Sequence, residues 1–196
     1  MALASARPHG ARSALAVDLS GRHVAFATPA LIEIFDVLWP SDPRLLLHVP
    51  LHAEPALLDW GAHDASSSLL VSCTAERVLV WDVARTGLEA YTPHAALEPH
   101  ASAARVCDVR FSPAEPYAIA IGSADGVISA CVLGAAGGGG GGGGVFSVQL
   151  RTGEPLLALR PCPLSAHLFA VASGGRAAVW DARARAGSAR AAVALH

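Results

Sequence analysis

Val78-Leu-Val-Trp-Asp-Val83 is a short apolar run that closes on a Trp-Asp pair, and Val179-Trp-Asp-Ala182 repeats that ending further along the chain. With this hexamer as a ruler, four units line up. The first runs Ala14 to Leu19, His23 to Thr28 and Leu31 to Asp36; the second runs Ala56 to Trp60, Ser68 to Cys73 and Val78 to Asp82. The third runs Arg105 to Phe111, Tyr117 to Gly122 and Val127 to Cys131; the fourth keeps His167 to Ala172 and Arg176 to Asp181. Each piece is short and apolar, with turn residues on either side, which is the patterning of strands. The Trp81 position is held by Phe35, Ala130 and Trp180 in the other units, and the Asp82 position by Asp36, Cys131 and Asp181. The positions fall 46, 49 and 50 residues apart. Such spacing fits all-β blades of about 40 to 45 residues, with an insertion before the last. The expected ranges are 14–50, 51–98, 99–150 and 151–196, after a flexible stretch over 1–13.

The turns agree with this phasing. Gly21, Gly126 and Gly174-Gly175 fall between strand runs, where a hairpin asks for φ > 0 and glycine supplies it without a Cβ clash. Gly134-Ala-Ala is followed by eight consecutive glycines, Gly137 to Gly144. Glycine has nothing to bury and loses the most entropy on ordering, so 134–144 reads as a disordered insertion. No Lys and no helical pattern follow it, so it does not read as a phosphate-cradling loop.

Composition narrows the function. At 196 residues and 53% hydrophobic the chain is rich enough in Val, Leu and Ala to build a sizeable core. A formal net charge of -2 supplies no basic field for nucleic acid. Lys and Asn are absent, so Arg stands in for Lys and an Arg here is weak evidence of a special role. Cys73, Cys107, Cys131 and Cys162 are spread without a C-x-x-C, so they read as small hydrophobes in a reducing, cytoplasmic compartment. Outside the glycine tract no apolar run of about 18 residues exists to span a bilayer. Beyond Asp181, the arginines Arg183, Arg185 and Arg190 are too sparse for a binding patch, and this stretch reads as a loop with an outer strand over Val193 to Leu195.

No catalytic constellation emerges. The histidines lack helical i, i+4 spacing for zinc, and no G-x-S-x-G occurs. Catalytic, cofactor and metal residues are therefore all expected to be none. Asp18, Asp59 and Asp108 do not share one register, so no repeated acid position is expected. Trp39, in the loop Leu38-Trp-Pro-Ser-Asp42, has two readings: an exposed interaction hot spot, or, preferred, a side chain packed beneath its own blade.

The Φ-x-Trp-Asp endings, the SADG and SGG turns before them, and Val106 to Pro113 opening a unit resemble WD40 repeats. The resemblance covers nearly the whole chain from Ala14. In that family a His, a Ser or Thr, an Asp and the Trp form a structural hydrogen-bond tetrad. His100, Ser123 and Asp125 match three of its positions in the third unit, whose Trp position is Ala130. His52, Ser72 and Trp81 match in the second, with Glu76 near the Asp position. The resemblance thus implies that Trp81, Asp82, Trp180, Asp181, Phe35, Asp36, His100 and Asp125 are repeat-structural. The order AVDLSGRHVAFAT, LLDWGAHD, PHASAARVCDVRF and GGRAAVWDARA is similar to the N-terminal propeller of the large WD-repeat subunit of SEA/GATOR complexes. That likeness implies a scaffold, not an enzyme, acting with other subunits in nutrient-dependent control of TOR signalling. It also implies peripheral association with lysosome or vacuole through partners. A WD40 adaptor reading a peptide or targeting signal, peroxisomal or chromatin-associated, is the alternative, and an enzyme built on a propeller a further one. Closed propellers use six to eight blades, so about four imply a fragment or blades supplied by a partner.

Overall fold

Alternation dictates how each apolar run is used, because successive strand residues face opposite ways and both faces here are apolar. The computed structural model describes residues 14–28, 31–50, 57–74, 77–85, 91–97, 105–134, 145–183 and 189–194, with backbone alone at 50, 145–150 and 189–194. Those residues form four four-stranded antiparallel sheets, each a meander with its strands paired in chain order. The first sheet holds β1 (Leu15–Val17), β2 (His23–Ala27), β3 (Leu31–Asp36) and β4 (Arg44–Pro50). The second holds β5 (Leu57–Trp60), β6 (Leu69–Cys73), β7 (Val78–Asp82) and β8 (Ala95–Leu97). The third holds β9 (Val106–Phe111), β10 (Ala118–Ser123), β11 (Val127–Val132) and β12 (Val145–Arg151). The fourth holds β13 (Leu156–Cys162), β14 (Ser165–Ser173), β15 (Arg176–Asp181) and β16 (Ala189–Ala194). The described residues are all-β, and a short 3-10 turn, Asp64–Ser66, lies in the β5–β6 connection.

The sheets pack face to face in chain order through three apolar clusters. Ala25, Ile32, Ile34 and Val49 of the first sheet meet Leu58, Trp60, Leu70 and Trp81 of the second. Val71, Val80 and Leu97 of the second meet Val109, Phe111, Ile119 and Cys131 of the third. Ala120 and Ile128 of the third meet Leu159, Phe169, Val171 and Trp180 of the fourth. The opening strands β1, β5, β9 and β13 lie side by side in that order. Among the described residues nothing covers the outer faces of the first and fourth sheets, where Leu15 is 60% and Leu157 66% exposed.

Register corrects one of the alignments read from spacing. Trp60, Leu70 and Trp81 form one cross-strand row in the second sheet. The row that likewise faces the preceding sheet is Phe111, Ile119 and Cys131 in the third. Cys131, not Ala130, is therefore the counterpart of Trp81; Ala130 turns to the fourth sheet, and the register shifts at this point. In the first sheet the row is Val17, Val24 and Phe35. Spacing could not show the shift at Ala130, because a one-residue slip in a run apolar on both faces leaves the pattern unchanged.

The segment Trp60-Gly-Ala-His-Asp64 is a folded turn. Trp60 Nε1 donates to Ser67 O at 2.7 Å, and His63 Nδ1 accepts from the Ala65 N–H at 3.1 Å. A Cβ on Gly61 would fall 1.8 Å from Ser66 O, so only glycine fits there.

Candidate functional site

The aspartates of the Trp-Asp positions share one local geometry. Asp36, Asp82 and Asp181 each accept a hydrogen bond from the backbone N–H two residues on, at Leu38, Ala84 and Arg183, 2.9–3.1 Å away. This is the local Asx geometry that turns a chain out of a strand. An arginine faces each carboxylate: Arg22 at 2.6 Å from Asp36, Arg85 at 3.7 Å from Asp82 and Arg183 at 3.0 Å from Asp181. Arg22 holds the Asp36 carboxyl down to about 2. Trp81 Nε1 donates to the buried Ser72 Oγ at 2.9 Å. Trp180 Nε1 is buried without a hydrogen-bond partner among the described residues. Phe35 is half-buried on the open face of the first sheet. Ser123 Oγ donates to Asp125 Oδ1 and to Val127 O within the β10–β11 turn. His100, His52 and Glu76 lie outside the described residues, as do 1–13 and 135–144.

A second device was not legible in the sequence. Asp59 on β5 accepts from the Phe111 N–H at 2.8 Å and from Arg110 Nη1 at 3.2 Å, across to β9. Asp108 on β9 accepts from the Leu159 N–H at 2.9 Å and from Arg160 Nη1 at 2.7 Å, across to β13. Each aspartate thus ties its own sheet to the next by one backbone amide and one arginine. Arg110 Nε also lies 3.0 Å from Asp108 Oδ1, so the charges alternate Asp59, Arg110, Asp108, Arg160 along the opening strands. The sequence reading found no shared acid position because it asked for identical register. Asp59 pairs with Val71 and Asp108 with Gly122, and their amide partners shift in step with them. Burial pushes the Asp59 carboxyl above the ordinary aspartate value, against the Phe111 N–H and Arg110 that favour its charge.

A cleft of about 1230 Å³ opens between the first and second sheets, at the end carrying the β1–β2, β5–β6 and β7–β8 turns. Ile34 and Leu47 line its apolar part, Leu19, Leu46 and Tyr91 stand around it, and Asp18, His23, Asp64 and Arg85 are its polar lining. His23 Nδ1 is 2.9 Å from Asp18 Oδ2, and its ring stacks on Trp60 with centroids 6.2 Å apart. Burial works to raise the Asp18 carboxyl, but bonds from the His23 N–H, the Ser20 hydroxyl and the His23 ring outweigh it and leave it below the ordinary value. Arg85 donates Nη2–H to His94 Nδ1 at 2.7 Å while facing Asp82.

Trp39 is 71% exposed and does not pack beneath its own sheet, against the preferred reading. It lies in the β3–β4 turn, where the Asp42 N–H donates to Trp39 O at 2.9 Å. Cys73 and Cys131 are buried free thiols, pushed up to about 12 by burial, as small hydrophobes would be. Among the described residues no group of three or more His, Cys, Asp or Glu is arranged to hold a metal ion. No helix among them is long and apolar enough to cross a membrane.

No protein-family model matches the chain. The chain is similar to "Maintenance of telomere capping protein 5" of Saccharomyces cerevisiae, 26% identical over 126 residues. The match takes in 64% of this chain and 11% of the yeast protein's length.

Proposed function

We propose that the four sheets are blades of a WD40-type propeller and that the chain is a protein-interaction scaffold rather than an enzyme. The observation that supports this best is the succession of opening strands β1, β5, β9 and β13, lying side by side, with Asp59 and Asp108 tying successive sheets together. Stacked sheets held in this manner make a rigid frame whose turns are presented at two ends, the usual platform for partner recognition. The buried Ser72–Trp81 bond is half of the tetrad expected of such a blade. On this reading the open outer faces of the first and fourth sheets receive further sheets of the same kind.

Within that class we favour a SEA/GATOR-type subunit acting in nutrient-dependent TOR regulation, on the strength of the residue likeness around Trp60-Gly-Ala-His-Asp64. The yeast relative's name, which speaks of telomere capping, keeps the adaptor alternative in play. Affinity capture of the tagged full-length gene product, read by mass spectrometry, separates the two. Stoichiometric recovery of TOR-regulatory subunits is the expected result. Recovery of peroxisomal, dynein, telomeric or chromatin proteins instead would overturn the assignment.

A further inference from the structure

We propose that the cleft between the first and second sheets docks an extended peptide segment of a partner protein, one that inserts an aliphatic or aromatic side chain flanked by Lys or Arg. The proposal deepens the scaffold reading above and rests on it. Volume is the first argument. Pockets for single small molecules run roughly 300 to 1,000 Å³, whereas this cleft measures about 1230 Å³ and accommodates several residues. The second argument is where apolar surface is left in water. Leu19, Leu46 and Tyr91 come from three different turns and strands, and each is held 46–58% exposed around one concavity. Single exposed apolar residues are ordinary, but several converging on a cleft floored by Ile34 and Leu47 mark an interaction site.

Charge selects the partner. Arg85 is the cation of the lining, and it is already engaged by Asp82 and His94. Asp18 already accepts hydrogen bonds from the His23 N–H and the Ser20 hydroxyl and lies 2.9 Å from the His23 ring. Asp64, exposed at the start of the 3-10 turn, makes no ion pair among the described residues. The rim therefore carries uncompensated negative charge beside an apolar floor, and a basic residue next to the inserted side chain is its complement. The groove also continues the packed junction between the two sheets, so its walls are set by the Ile34–Trp81 cluster rather than by loops alone.

The test pans a display library of random dodecapeptides on the full chain, and counter-pans on the Asp64→Lys and Leu46→Ser/Tyr91→Ser variants. All three positions are exposed or face the cleft, and the thermal melts of the variants should overlay the parent. Enrichment of at least about tenfold for a large apolar residue adjoining Lys or Arg is expected. The basic preference should disappear on Asp64→Lys and the apolar one on Leu46→Ser/Tyr91→Ser. No enrichment, enrichment of acidic peptides, or a preference indifferent to the variants would overturn the groove. Affinity capture separates this failure from failure of the scaffold reading. Partners recovered equally by parent and groove variants sink the groove alone, and no protein partner recovered by the parent sinks both.

Discussion

Replacing Asp108 by Ala should do more damage than any charged-residue change at the surface of this molecule. The residue is 4% exposed; its two oxygens accept from the Val109 and Leu159 amides and Arg160 Nη1, and Arg110 Nε lies beside them as an ion pair. Its removal strands the buried Leu159 N–H, at about 1–3 kcal/mol for an unsatisfied donor. Breaking a buried ion pair adds up to about 3–5 kcal/mol when the orphaned charge stays dry. Here the discount is large, since Arg160 and Arg110 side chains retain 58% and 25% exposure and can rehydrate. A total of about 3–4 kcal/mol follows, or roughly 10 °C in Tm for a chain of this size. Asp108→Asn keeps one oxygen for the Leu159 amide and should lose about 1–2 kcal/mol. Arg160→Ala removes only the exposed partner and should lose under about 1 kcal/mol. Urea and thermal melts give the ranking, and hydrogen exchange at the Leu159 amide gives the local readout. If Asp108→Ala falls within about 1 kcal/mol of Arg160→Ala, the inter-sheet tie is decorative and the reasoning is wrong.

The two tryptophans should separate. Trp81→Phe strands the buried Ser72 hydroxyl and should lose about 1–3 kcal/mol, whereas Trp180→Phe removes an indole N–H that has no partner among the described residues and should lose less; equal losses in urea melts would contradict the geometry. Gly61→Ala puts a Cβ against backbone at 1.8 Å and should destabilise by about 3 kcal/mol or more, while Gly134→Ala, with nothing within 4 Å, should be silent in the same melts. The acid limb should show two opposite signs. Asp36, held at about 2, contributes stability present above the ordinary value near 3.8 and lost as pH falls toward 2. Asp59, raised by burial, binds its proton more readily folded than unfolded, so its contribution grows as pH falls through its folded value toward 3.8. The stability difference between parent and Asp59→Asn should therefore move in the parent's favour between pH 7 and pH 4; a flat difference by denaturant titration would show that Asp59 does not titrate there.

How much of this could be read beforehand divides along a physical line. Strand runs such as Leu31 to Asp36 and Val78 to Asp82 were legible because local patterning and turn residues determine them. The role of the Trp-Asp aspartates was nearly legible, since an Asx turn needs only the residue two positions on. Register was not. Ala120, Ala130 and Cys131 are all small and apolar, so nothing local says which of the last two stands where Trp81 stands. The cleft was invisible for another reason. Its walls come from Leu19, Leu46, Asp64 and Tyr91, which share a site only because two sheets stack with like ends together.

The aspartate ties explain how such uneven sheets keep one arrangement. Where a sheet has its Trp, as with Trp81 and Trp180, a large side chain anchors it on the preceding sheet through the apolar cluster. The third sheet offers only Cys131 at that point, and a thiol fills far less space than an indole. Apolar contact is not directional, so a smaller anchor alone would let the third sheet slide over its neighbours. Hydrogen bonds to fixed backbone amides are directional, and the two found here, from Phe111 to Asp59 and from Leu159 to Asp108, bracket this third sheet on both sides. The Phe111–Asp59 bond thus sits at the junction where the packing anchor is only Cys131, and the Leu159–Asp108 bond adds direction to the junction that Trp180 fills. This predicts a coupling: Cys131→Ala should be tolerated in the parent but strongly destabilising together with Asp59→Asn, with an interaction energy above about 0.5 kcal/mol in a double-mutant cycle. Strict additivity would mean that the sheet is positioned by packing alone.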